Sequence, residues 1–127
     1  NHKVLGEIFI LRHKKDFNSA FGLLSEFIPR NIQEKIYMKK IELKMYYETG
    51  DFDRVLSLVK SNKEFVSFDK TLSEFMSNAF SNFLIYLKKL VDIKINTDVK
   101  NYDHYYLNNL KEINGSLNQF YQEIMFQ

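Results

Sequence analysis

Apolar positions along the chain recur every three or four residues, and no stretch sustains strict alternation. Phe17, Ala20, Phe21, Leu24 and Phe27-Ile28 make one stripe, and Phe52, Val55, Leu56 and Val59 make another. This spacing places each set on a single side of an α-helix. The longest stripe runs through Leu72, Phe75, Met76, Ala79, Phe80, Phe83, Leu84, Leu87, Leu90 and Val91, which predicts about six turns of uninterrupted helix. Further on, Tyr102, Tyr106, Leu110 and Ile113 precede Asn114-Gly115, and Leu117, Phe120, Tyr121, Ile124 and Met125 follow it. Residues able to end a helix cluster at Lys15-Asp16, Pro29, Gly50-Asp51, 62–71, 96–98 and Asn114-Gly115. The pattern predicts helices over 2–14, 17–28, 32–49, 52–64, 72–94, 101–113 and 117–126, so an all-α fold. The start of the long helix has two candidate caps: Thr71 has capping-box spacing to Glu74, and Ser73 is an equally suitable cap preceded by apolar Leu72.

Displacing the sequence by 35 positions superimposes Asp16-Phe17 on Asp51-Phe52, Leu11 on Tyr46, Ile10 on Met45, Ala20 on Val55, Phe21 on Leu56 and Leu23-Leu24 on Leu58-Val59. A period of that size is the length of a helix-turn-helix repeat. The turn of the second copy has a physical logic. Gly50 can adopt positive φ at a helix end, Asp51 can cap the next helix, and Phe52 is placed to fill the angle between the two. The first copy carries Lys15 where the glycine should be. Either that lysine adopts the left-handed conformation, at a cost of about 1 kcal/mol, or the turn differs.

The run Tyr46-Tyr47-Glu48-Thr49-Gly50-Asp51-Phe52-Asp53-Arg54-Val55-Leu56 resembles the middle of a tetratricopeptide repeat (TPR), in which a tyrosine pair closes the first helix and Gly-Asp-aromatic forms the turn. The resemblance covers roughly residues 1–66. The first copy departs from it: the early large aromatic and the Leu-Gly pair are missing, and Pro29 comes three positions before the usual proline. The long helix with Phe83-Leu84 and Leu87-Lys88-Lys89-Leu90, followed by a short hairpin, is similar to the C-terminal end of uncharacterised bacterial repeat proteins. Together these resemblances imply a TPR-like α-α superhelix of antiparallel helix pairs. Within one helical-repeat domain over 1–127, residues 1–66 would supply two pairs, and 67–127 a long capping helix with a terminal helical hairpin.

Solenoid ends need a polar outer side. Ser73, Glu74, Ser77, Asn78, Ser81, Asn82, Lys88, Lys89 and Asp92 give the long helix one. The N-terminal helix lacks it, because Val4, Leu5, Ile8, Phe9, Ile10 and Leu11 cover more than one side. Upstream repeats of a parent chain, or a second copy in a homodimer, are the expected cover. The absence of an initiator Met fits a piece of a longer protein.

Composition removes several chemistries. With no Cys, thiolate nucleophiles, disulfides and Cys-based metal sites are excluded. His2, His13 and His104 lack a second ligand at metal spacing, no serine lies in a nucleophile elbow, and the glycines are too scattered for a phosphate loop. The expectation is a non-enzymatic protein with no cofactor and no metal. The longest apolar runs fall well short of the roughly 18 residues of a membrane-spanning helix, and a cytoplasmic location is expected. Lys and Arg exceed Asp and Glu by 18 to 16, the excess lying before residue 61. Most of the twelve Phe and eight Tyr must be core at this spacing.

The TPR resemblance implies that the first helix of each repeat lines a concave groove. His2, Leu5, Phe9, Arg12 and His13 would line it from the first copy, and Tyr37, Lys40, Lys44, Tyr47 and Glu48 from the second. Arg12, Lys40 and Lys44 suit a carboxylate-bearing peptide through charge-assisted hydrogen bonds, with Phe9, Tyr37 and Tyr47 as apolar anchors beside His13. The expected function is thus a scaffold for protein–protein or peptide recognition. Two alternatives stand beside it. One is a structural end-cap with no ligand of its own. The other is weak nucleic-acid binding through Lys14-Lys15 and Lys39-Lys40, against which the thin charge excess argues.

Overall fold

The computed structural model describes residues 2–96, which form five α-helices: α1 (His2–His13), α2 (Phe17–Glu26), α3 (Ile32–Glu48), α4 (Phe52–Phe68) and α5 (Glu74–Asn96). No strand occurs among the described residues. The helices expected over 101–113 and 117–126 lie outside them. The chain divides between Asp51 and Phe52 into two compact units, the first holding α1, α2 and α3 and the second α4 and α5.

In the first unit, α1 and α2 form a hairpin whose tight turn follows from helix-end chemistry. Lys14 N–H reaches Ile10 O (3.0 Å), Lys15 N–H reaches Arg12 O (3.0 Å) and Asp16 N–H reaches Leu11 O (2.9 Å). Lys15 sits at φ 61°, the left-handed conformation that closes a Schellman turn. Of the two outcomes left open by the sequence, the lysine takes the strained one. Asp16 then caps α2, its carboxylate accepting from Ser19 N–H at 3.3 Å.

The end of α3 repeats this pattern 35 positions later. Thr49 N–H reaches Met45 O (3.0 Å), Gly50 N–H reaches Tyr47 O (3.1 Å) and Asp51 N–H reaches Tyr46 O (2.9 Å), with Gly50 at φ 78°.

Helix α2 stops at Glu26, two residues before the expected 28. Phe27 is already extended at φ −72° and ψ 125°, one residue ahead of Ile28, where Pro29 disfavours helical backbone. Asn31 caps α3 by accepting Glu34 N–H at 2.9 Å. Glu34 in return accepts from Arg30 N–H at 3.1 Å and from the Arg30 guanidinium at 2.9 Å. That exchange is a capping box shifted by one residue.

The first unit's core is Ile8 from α1, Ala20 and Leu24 from α2, and Ile41 and Met45 from α3. Val4, Leu5, Leu11, Phe17, Phe21, Leu23, Tyr37 and Met38 pack around it. The Phe21 and Tyr46 rings lie 4.6 Å apart, tilted by 32°.

In the second unit, α4 and α5 pack together. Helix α4 extends to Phe68, past the expected end at 64. Polar residues that read as breakers are absorbed there: Asn62 is buried, and Ser67 Oγ returns to Lys63 O at 3.1 Å. Asp69 accepts from both the N–H and the hydroxyl of Thr71, shaping the turn. Ser73 Oγ accepts from Met76 N–H at 3.1 Å, so Ser73 and not Thr71 is the cap of α5. Phe80, Phe83, Leu84, Leu87, Leu90 and Val91 are all buried along α5, and the Phe80 and Phe83 rings stack at 6.3 Å.

Candidate functional site

The expected groove residues all belong to the first unit, on α1 and α3. At 3.6 residues per turn, Tyr37, Lys44 and Glu48 fall within about 40° of one another around α3, whereas Lys40 and Tyr47 are turned about 60° and 80° from Tyr37. The structure reflects this division. Arg12, in the last turn of α1, donates from Nη2 to Glu48 Oε1 at 2.7 Å. Both partners are partly buried, with side chains 11% and 27% exposed. The contact spans 36 positions.

Lys44 and Tyr37 lie within the field of Arg12. Burial holds the Lys44 ammonium below the ordinary lysine value, Arg12 pushes in the same direction, and Glu48 opposes both. Burial raises the Tyr37 phenol above its ordinary value, and Arg12 pulls it back. On α1, Phe9 and His13 meet edge to face with ring centroids 4.4 Å apart. They are neighbours on the helix surface at i and i+4, and Phe9 remains 42% exposed.

Lys40 lies on the buried side of α3. It shares the i, i+4, i+7 row of Ile36 and Leu43, both buried, and is itself only 3% exposed. A lysine in that row lies with its stem along apolar surface. Exchange of Lys40 for Glu would therefore perturb the packing of α3 before it reported on recognition. Tyr47 is half-buried on the same side, and burial raises its phenol. Lys39 is half-buried too, its ammonium held down first by burial and then by Lys35, against the pull of Glu42.

Glu48, a groove position by resemblance and not one of the expected binding residues, is the carboxylate that Arg12 holds. No sequence pattern pairs it with Arg12; the contact arises from how α1 lies beside α3. Among the described residues no group of three or more His, Asp or Glu side chains is arranged to hold a metal ion, and no helix is long and apolar enough to cross a membrane. Comparison with protein-family models, curated proteins and solved structures finds no match to the chain.

Proposed function

We propose that the chain is a TPR-like segment of a helical-repeat scaffold that recognises carboxylate-bearing protein segments, without catalysis, on the α1 and α3 side of its first unit. The repeat reading is supported by two Schellman turns whose three hydrogen bonds correspond one for one at a separation of 35 residues. The ligand chemistry is supported by one observation above others: Arg12 already holds a carboxylate, that of Glu48, within reach of the Lys44 charge. Exposed Phe9 and the Phe9–His13 pair add an aromatic contact beside the charges. The site proposed is Phe9, Arg12, His13, Tyr37 and Lys44; Lys40 is buried and Tyr47 half-buried.

A second reading has its own support. Phe9 and Ile10 are exposed on α1 at 42% and 52%, as expected of an end that an upstream repeat or a homodimer partner covers, so part of the chain's role would be structural.

The test is a titration of the chain with a fluorescein-labelled peptide of glutamate, serine and phenylalanine, alongside its glutamine counterpart. The glutamate peptide binds, added salt weakens it, and Lys44→Glu abolishes binding while far-UV circular dichroism stays unchanged. Equal binding of the two peptides would refute carboxylate recognition. Capture of random duplex DNA with a steep salt dependence would support nucleic-acid binding instead.

A further inference from the structure

Resting on that reading, we propose that Arg12 is a carboxylate-exchange site: Glu48 is a resident stand-in, and an incoming aspartate, glutamate or C-terminal carboxylate displaces it from the guanidinium. Three features carry this. The two partners are unequal, since the Arg12 side chain is 11% exposed and that of Glu48 is 27%. The guanidinium is the enclosed half of the pair, and the carboxylate is the half that solvent and a ligand can approach.

Glu48 is also poorly placed electrostatically. It is the last residue of α3, whose final turn carries no basic side chain. Carbonyl groups at a helix C-terminus present partial negative charge, which disfavours a carboxylate there. A ligand carboxylate arriving from outside the helix need not bear that repulsion. The third feature is Lys44, one turn before Glu48, whose ammonium feels both Arg12 and Glu48. When Glu48 leaves, the incoming carboxylate takes its place beside Arg12 and Lys44, so the exchange replaces one anion with another and exposes no isolated cation pair.

Exchange predicts that removing the resident carboxylate tightens binding only when Arg12 is present. Glu48→Gln keeps an oxygen acceptor and the side-chain length while deleting the charge. With the same glutamate-containing peptide, the variant binds about two- to fivefold more tightly than the wild type, the range spanned by an exposed to partly buried ion pair. Two controls exclude a general charge effect. Glu7→Gln makes the same charge change at an exposed position on α1 and leaves affinity within about 1.5-fold of wild type, as expected for a screened surface charge. In an Arg12→Met background, Glu48→Gln gives no gain.

Thermal unfolding of each variant by circular dichroism verifies that it is folded. If wild type binds and Glu48→Gln changes nothing, or if the gain persists without Arg12, exchange is overturned and carboxylate recognition stands. If the peptide binds none of the proteins, recognition itself falls and exchange with it.

Discussion

The two Schellman turns allow a reciprocal experiment on backbone strain. Lys15 and Gly50 occupy equivalent positions with φ of 61° and 78°, yet only one is a residue suited to that conformation. The left-handed region costs an L-residue about 1–2 kcal/mol. Introducing glycine returns about 0.4–1 kcal/mol of conformational freedom to the unfolded chain. Lys15→Gly therefore stabilises by about 0.5–1 kcal/mol, and Gly50→Ala destabilises by a similar amount. Steric interference does not complicate the second variant, because a Cβ at Gly50 meets nothing within 4 Å. Lys15 is exposed, so little packing is lost in the first. For a chain of this size the expected displacement of the melting midpoint is about 2–5 °C in each direction, followed by far-UV circular dichroism. A neutral or destabilising Lys15→Gly, together with a harmless Gly50→Ala, would refute the assignment of strain to these turns.

Other outcomes follow from the packing and the charges. A double-mutant cycle on stability with Arg12→Ala and Glu48→Ala gives a coupling of about 0.5–1 kcal/mol in urea melts, reduced at high salt; coupling indistinguishable from zero would mean the pair does not form in solution. Phe80→Ala removes a fully buried ring from α5 and costs about 3–5 kcal/mol by the same assay, a loss under 1 kcal/mol counting against the α4–α5 core. Lys44, with its folded pKa below the ordinary 10.5, is less protonated folded than unfolded between those two values, so its contribution to stability grows as pH rises through that window. The stability advantage of Lys44→Met over wild type is accordingly largest at neutral pH and shrinks toward pH 10.5, and an advantage that grows instead would invert the assignment. Tyr37, with its pKa raised above 10.0, acts oppositely: its contribution is complete below pH 10.0 and lost as pH climbs through the raised value, which Tyr37→Phe removes from urea midpoints measured in alkali.

Much of the fold is legible because short-range chemistry decides it. Pro29, Gly50, Asp16 and Asn31 act on their immediate neighbours, and the helices between them begin where the periodicity places them. What local reading misses is settled by packing. Asn62 and Ser67 look like an interruption until burial and a bond to the preceding turn absorb them, and α4 continues to Phe68. Lys40 reads as a ligand-facing cation by family geometry, although its own row, Ile36 and Leu43, is apolar; the row was the better guide. Between Ser73 and Thr71, spacing offered no decision, and only the approach of the Met76 amide supplies one. For the candidate site, the sequence placed Arg12 and Glu48 on a common face by resemblance, but their pairing depends on how α1 lies beside α3, which no residue near either of them encodes.

The seclusion of Lys40 also bears on how the chain reacts with amine-directed reagents. An acylating label modifies the exposed amines of Lys14 and Lys15 directly, whereas the Nζ of Lys40 becomes reachable only when the α3 segment opens. The rate at which that single amine is labelled thus clocks excursions of the first unit out of its native arrangement, with the outward-facing lysines of the same molecule as the internal standard.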